Sequence, residues 1–95
     1  MPHRGSDDAT ITLVRSDGCH YCEDAITALA DLAARYPVQV SIVDADSAMG
    51  AVLLAEHRPT MFPLVLVDGR MFSYGRLPRR KLAAFLQTRT RAGVW

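Results

Sequence analysis

The sequence has few cysteines, few aromatic residues and no long apolar run. Two cysteines in 95 residues exclude a disulfide-dense scaffold and are too few for a four-cysteine zinc site. No apolar stretch approaches the roughly 18 residues of a membrane-spanning helix, and residues 1–8 are polar where a secretory signal has an apolar segment. The sequence therefore predicts a small cytoplasmic domain with no membrane partner.

The remaining composition is that of an ordinary folded domain. Hydrophobic residues make up 49% of the chain and charged residues 22%, which is too apolar for a disordered segment. A chain of this length has room for one domain. We expect that domain to span residues 10–90, between a flexible N-terminal tail (1–9) and a C-terminal tail (91–95).

Charge is distributed unevenly along the chain. Residues 1–57 hold nine acidic residues and three arginines, whereas residues 58–95 hold eight basic residues and one acid, Asp68. The basic residues lack the interleaved aromatics on which single-strand binders stack bases, so we expect a solvated helix face and no nucleic-acid partner. A basic surface near a reactive site would still attract acidic small molecules or partner proteins.

Four short apolar runs predict the strands of a sheet. They are rich in β-branched residues or in alternating apolar residues, and they cover residues 10–14, 38–43, 64–67 and 70–74. The last two are joined by Asp68-Gly69, a dipeptide typical of a type I′ hairpin. We expect Tyr74, at the end of this hairpin, to pack on the sheet rather than to line a site.

Three helices are predicted between and after the strands. Apolar residues at three- and four-residue spacing from Cys19 to Tyr36 predict a helix of about four turns, which Pro37 ends. The others cover residues 48–57 and the segment from Pro78 to Arg89. The element order, βαβαββα, requires one parallel pair with a right-handed crossover and one hairpin. We therefore expect an α/β fold with a mixed four-stranded sheet flanked by three helices.

A Cys-x-x-Cys motif, from Cys19 to Cys22, lies where the first strand has ended and the first helix begins. Three residues return nearly one helical turn, so the two sulfurs come within bonding distance. Unpaired N–H groups and the helix dipole favour an anionic sulfur at the helix N-terminus, which lowers the pKa of the Cys19 thiol and makes it the nucleophile. Cys22 is expected to be more buried and to act as the resolving thiol.

Two other interpretations of the cysteines are weaker. Buried cysteines can be plain core residues, but the position between a strand and a helix is the setting of a redox motif. A metal site needs more ligands than this pair, and His3 and His57 have no motif spacing to it. We expect no metal-binding residues.

The motif in this setting resembles the thioredoxin superfamily, and the glutaredoxins most, over residues 10–89. Tyr21-Cys22 repeats the second half of the glutaredoxin Cys-Pro-Tyr-Cys motif, and residues 60–63 are similar to the Thr-Val-Pro segment whose proline is cis and faces the active site. The resemblance implies a thioredoxin-like fold, a cis Pro63, and a Phe62 backbone that pairs with the substrate backbone.

The resemblance also implies substrate-binding roles for four more residues. His20 stands in place of the glutaredoxin proline, at a position that tunes redox potential, and Tyr21 follows it. Ser16 occupies the place of a basic residue that holds glutathione, so Arg15, one residue earlier, is a candidate for that role. Arg76 stands in the segment that replaces the glutaredoxin Gly-Gly signature before the last helix. Together with the arginines that follow, it is a candidate carboxylate clamp.

The sequence thus predicts a glutaredoxin-like thiol–disulfide oxidoreductase that reduces protein disulfides or glutathionylated proteins. We expect a monomer with no tightly bound cofactor, with glutathione as a candidate co-substrate and with glutathione or a flavoprotein reductase as electron donor. Two alternatives stay open. One is an iron–sulfur or metal-handling module whose cluster bridges two subunits with glutathione as a further ligand. The other is a non-catalytic interaction domain with the same fold.

Overall fold

The computed structural model describes residues 8–93, which form four strands and three helices. The strands are β1 (Ala9–Arg15), β2 (Val38–Asp44), β3 (Leu64–Val67) and β4 (Arg70–Tyr74). The helices are α1 (His20–Ala33), α2 (Ala48–His57) and α3 (Arg79–Gly93). The predicted element order is confirmed, and α2, β3 and β4 have the predicted bounds.

The sheet has the strand order β2-β1-β3-β4. β1 pairs in parallel with β2, and the crossover between them is α1. β1 is antiparallel to β3, which is antiparallel to β4. The predicted mixed four-stranded sheet with three helices is therefore confirmed. β1 pairs with β2 from the first half of the chain and with β3 from the second half.

The core lies on both faces of the sheet. On one face, α1 and α3 pack against alternate residues of β1 and β3 in a cluster whose fully buried members include Ile11, Leu29 and Leu82. On the other face, α2 contributes partly buried leucines to a smaller cluster centred on Val14 and Leu64. β3 is buried along its whole length, as its continuous apolar run predicts for a strand covered on both faces.

The Asp68-Gly69 hairpin has the predicted geometry. Both residues have positive φ, 52° and 83°, as the two central residues of a type I′ turn require. The Asp68 carboxylate accepts a hydrogen bond from the Thr10 N–H (3.0 Å) and pairs with Arg89 of α3. β4 contains a bulge beside Val65 and Leu66 that the sequence pattern did not predict.

Several predicted boundaries were wrong, including the end of β2, which lies at Asp44 and not at residue 43. α1 ends at Ala33 and not at Tyr36, although the Tyr36 N–H still donates to the Leu32 carbonyl (2.8 Å) and the ring packs on the core. β1 begins at Ala9, one residue inside the predicted N-terminal tail, and α3 extends past Arg89 to Gly93, inside the predicted C-terminal tail. Residues 1–7 and 94–95 of the predicted tails lie outside the described residues.

The strand register brings four chain segments to one end of the sheet. Arg15, the last residue of β1, is paired with Asp44, the last residue of β2. Leu64, the first residue of β3, lies between Val14 and Tyr74. Four connections therefore meet at this end, which we call the site end. They are the connections that follow β1, β2 and β4 and the one that precedes β3. Within the described residues, no helix is both long and apolar enough to cross a membrane.

Candidate active site

Cys19 is the N-cap residue of α1. Its backbone is extended (φ −98°, ψ 107°), and its carbonyl accepts the first helical hydrogen bond, from the Glu23 N–H at 3.2 Å. Its Sγ accepts a hydrogen bond from the Cys22 N–H, with a nitrogen–sulfur distance of 3.1 Å. Because an N–H at the positive end of a helix points at this sulfur, negative charge on the sulfur is stabilised. The predicted placement of Cys19 at the helix N-terminus is confirmed.

The two cysteines are joined by a disulfide and differ in exposure. Their Cα atoms are 5.2 Å apart, within the usual range of roughly 4.4–6.8 Å for a disulfide. Cys22 lies on the buried side of α1 and is 1% exposed, whereas Cys19 is only half-buried. Of the two sulfurs, Cys19 is the one that a substrate disulfide can approach, as the sequence predicts.

A short connection, residues 16–18, carries the chain from β1 to Cys19. Gly18 has φ +66°, a conformation that residues with a side chain rarely adopt. A β-carbon at this position would meet no atom within 4 Å, so the backbone conformation and not the available space requires glycine. The turn at Gly18 thus directs Cys19 to the N-terminus of α1.

Pro63 lies at the site end, directly before β3. The Phe62–Pro63 peptide bond is cis, so the isomer implied by the resemblance is confirmed. Pro63 is buried, and its carbonyl accepts a hydrogen bond from the Gly75 N–H at 3.0 Å, which extends the β3–β4 pairing past its last strand residues. The connection before β3 is therefore held against the connection after β4.

The other residues predicted to bind substrate are at this same end of the molecule. His20 and Tyr21 are exposed residues of the first turn of α1, and the Tyr21 side chain is 43% exposed. Phe62 is half-buried and packs against the α2 side of the core. Their positions agree with the prediction, while their contacts with a substrate stay a prediction.

The two arginines proposed for glutathione differ in their surroundings. Arg15 approaches the Asp44 carboxylate (Nε–Oδ1 3.9 Å) and lines a surface cavity with Asp17 and Asp46, so its charge is opposed by three aspartates. Arg76 is exposed in the connection after β4. The structure thus brings both to the site end, with Arg15 in acidic surroundings and Arg76 in basic ones.

Two apolar residues at the site end were not predicted as site residues. Met61 is 49% exposed, and its sulfur would lie 3.3 Å from a β-carbon at Gly75. Tyr74 is 47% exposed, so about half of its surface is open to solvent at the site end, and the prediction that it packs on the sheet stays a prediction. Met61 directly precedes Phe62, and Tyr74 is paired with Leu64, which directly follows Pro63. Hydrophobic pattern gives no signal for them, since an exposed methionine and a buried one look alike in a sequence.

The described residues contain no group of three or more histidine, cysteine, aspartate or glutamate side chains arranged to hold a metal ion. His57 lies 3.5 Å from the Glu56 carboxylate, at the end of α2. His3 lies outside the described residues.

This fold and the Cys19–Cys22 pair at a helix N-terminus define a thiol–disulfide redox domain with the thioredoxin fold. The model of the glutaredoxin-like domain family (DUF836) matches residues 10–87, and the chain belongs to that family. No curated protein sequence matches the chain significantly.

Solved structures show the same fold at low sequence identity. An uncharacterised thioredoxin-like protein from Clostridium perfringens is 15% identical, with a TM-score of 0.68 over 86% of this chain and 71% of that one. A mutant thioredoxin from Halobacterium salinarum is 19% identical, with a TM-score of 0.66 over 90% and 78% of the two chains. Chloroplastic thioredoxin z is 17% identical, with a TM-score of 0.70 over 90% and 80%.

Proposed function

We propose that this protein is a dithiol oxidoreductase that reduces protein disulfides and glutathionylated proteins, with Cys19 as the nucleophile. The observation that supports this most is the difference between the two sulfurs. Cys19 is half-buried at the helix N-cap and accepts an N–H hydrogen bond, whereas Cys22 is 1% exposed. One accessible, stabilised thiolate beside one sheltered thiol is the arrangement that dithiol exchange requires.

The reaction transfers two electrons from the cysteine pair to the substrate. The Cys19 thiolate attacks one sulfur of the substrate disulfide, which forms a mixed disulfide and releases the other sulfur as a thiolate. Cys22 then loses its proton and attacks the Cys19 sulfur. The Cys19–Cys22 disulfide forms, and the second substrate sulfur leaves as a thiolate. Two electrons from glutathione or from a flavoprotein reductase return the pair to the dithiol.

The substrate would lie across the exposed apolar side chains of the site end. Tyr21, Met61 and Tyr74 are each between 43% and 49% exposed. Phe62, next to Met61, offers its backbone to a substrate backbone in this proposal. Apolar side chains around a reactive thiolate favour a polypeptide substrate, because burying them stabilises the complex by roughly 25 cal/mol for each Å².

Glutathione is the smaller substrate in this proposal. Arg76 is the candidate partner for one of its carboxylates, because it is exposed at the site end and is not offset by nearby aspartates as Arg15 is. We place the protein, as a monomer, in the cytoplasm, where glutathione and thioredoxin systems keep dithiols reduced.

Serine substitutions at the two cysteines test the proposal. Cys19→Ser is expected to abolish reduction of both a protein disulfide and a glutathionylated peptide, since it removes the nucleophile. Cys22→Ser is expected to accumulate a mixed disulfide at Cys19, which intact-mass spectrometry detects as the added mass of the substrate.

The two variants serve as controls for each other, because each replaces one sulfur atom by oxygen at one of two positions three residues apart. Wild-type turnover in both variants would overturn the proposal. A brown, dimeric protein after anaerobic purification would instead support the iron–sulfur alternative.

A further inference from the structure

A groove runs between α1 and α3 on the surface, away from the cysteine pair. Small or buried apolar residues form its floor, namely Ala28 and Leu32 of α1 and Ala83 of α3. The cavity has a volume of about 400 Å³, which lies in the usual range for ligand sites of roughly 300–1,000 Å³. Its size comes from the alanines, because larger side chains at these positions would fill it.

The rim of this groove carries a positive charge. Arg79 and Arg80 line it from the first turn of α3, and Arg35 lines it from beyond the end of α1. The one acid on the rim, Asp31, is already paired with Arg35 at 2.6 Å. None of the ion pairs among the described residues involves Arg79 or Arg80. The groove thus leaves two exposed guanidinium groups beside an apolar floor.

A second cavity links this groove to the site end. It is lined by residues 76–81 and shares Arg79 and Arg80 with the groove. Arg76, at its other end, directly follows Gly75, which is hydrogen-bonded to Pro63. A continuous basic band therefore runs from the connection beside the active site to the groove between the helices. We call it the basic band, made up of Arg76, Arg79, Arg80 and the groove that the last two line.

Among the described residues, no ion pair or cation–π contact accounts for the position of Arg79 and Arg80 at the start of α3. Cations in the first turn of a helix are opposed by its dipole. The first turn of α3 holds no acid and three consecutive cations, of which Lys81 lies over the Phe72 ring at 5.6 Å. Arg79 and Arg80 have no such contact. An anionic partner would offset the cost of placing them there.

We propose that the basic band docks an acidic segment of a partner protein, with an apolar side chain of that segment in the groove, while the partner's disulfide meets Cys19. This inference rests on the proposed function and adds the class of partner to it. The partner's carboxylates pair with Arg79 and Arg80, and its apolar anchor covers Ala28, Leu32 and Ala83. The occupant is a polypeptide because the groove has an apolar floor beside a basic rim, and one peptide segment can present both an apolar side chain and carboxylates to it.

The geometry of α1 sets the distance that a substrate peptide must span between Cys19 and the groove. Ala28, on the groove floor, follows Cys19 along α1 by about 14 Å, at 1.5 Å per residue. An extended chain covers that distance in about four or five residues. A peptide substrate should therefore carry its acidic and apolar residues four or five positions from its disulfide.

Peptide substrates of matched composition test this inference. We would measure kcat/KM for a disulfide peptide with a Glu-Leu-Glu block at that spacing, for its Gln-Leu-Gln counterpart, and for the neutral small molecule bis(2-hydroxyethyl) disulfide. The wild type is expected to prefer the acidic peptide about tenfold at low salt, and the preference should disappear at high ionic strength.

Two double variants, each with two charge reversals, test whether the preference for the acidic peptide depends on the basic band. The double variant Arg79→Glu, Arg80→Glu is expected to lose the preference for the acidic peptide, measured as the ratio of its kcat/KM to that of the neutral peptide. The control, Arg58→Glu with Arg70→Glu, makes the same change in net charge at exposed positions outside the band and should keep the preference. Ala83→Leu, which fills the groove without a change of charge, should weaken binding of the acidic peptide severalfold.

The outcomes separate this inference from the proposed function. Binding is measured independently of activity, by fluorescence anisotropy of the labelled acidic peptide on the Cys19→Ser, Cys22→Ser protein. Equal kcat/KM for the acidic and neutral peptides, or an equal loss in both charge-reversal pairs, would overturn the docking proposal. Failure of the wild type to reduce even the small disulfide would overturn the proposed function, whatever the anisotropy shows.

Discussion

Gly50 shows how a single residue determines the fit between two elements. It is a buried residue near the start of α2, and a β-carbon there would lie 2.1 Å from the Asp44 carbonyl oxygen. That backbone oxygen belongs to the end of β2 and has no freedom to move aside. The absence of a side chain thus lets α2 pack directly on the connection after β2, beside the active site.

Replacement of Gly50 by alanine is expected to destabilise the protein. In most helix interiors this substitution raises the free energy of unfolding by about 1 kcal/mol. Here we expect a loss of about 2 kcal/mol, because the added methyl overlaps backbone atoms. Urea denaturation followed by circular dichroism measures the change.

The matched control is Ala51→Ser, on the exposed side of the same turn, which should change the free energy of unfolding by less than about 0.5 kcal/mol. A Gly50→Ala protein as stable as the wild type would contradict the close packing of α2.

At the scale of elements, the boundaries marked by a nearby sequence signal were predicted correctly. The boundaries that depend on contacts between elements were not. α2 begins after Ser47, whose hydroxyl accepts from the Gly50 N–H at 3.0 Å, and ends before Pro59; both residues are visible in the sequence. The end of α1 was misplaced because Tyr36 continues the apolar spacing and packs on the core after the helix has ended. The bulge in β4 has no local signal, since it depends on how β3 pairs with it.

The cap of α2 provides a test at this scale. Ser47→Ala removes the hydrogen bond to the Gly50 N–H and the one that its hydroxyl donates to the Asp44 carbonyl (2.7 Å). We expect a loss of about 1 kcal/mol in the free energy of unfolding, the typical cost of an N-cap serine. Ser41→Ala, at an exposed position of β2, is the control and should cost less. Equal losses in the two variants would show that Ser47 does not cap α2.

For the whole molecule, the sheet topology assembles a site from distant parts of the sequence. The cysteine pair and Pro63 could be predicted, because each has a local motif and the order of elements places both at the site end. Met61 and Tyr74 could not, since the exposure of Tyr74 depends on the β3–β4 register and that of Met61 on how the connection before β3 lies against Gly75. The same holds for the basic band: the run of arginines is visible in the sequence, but its groove exists only where α3 lies against α1.

The claim on which the rest depends is that Cys19 is an activated thiolate and Cys22 a sheltered thiol. The rate of iodoacetamide alkylation of each cysteine in the reduced protein, measured against pH by peptide mass spectrometry, tests it most directly. We predict that Cys19 reacts with a pKa below that of a free cysteine, while Cys22 stays unmodified. Equal reactivity of the two cysteines, or a Cys19 pKa at or above that of a free cysteine, would contradict the account.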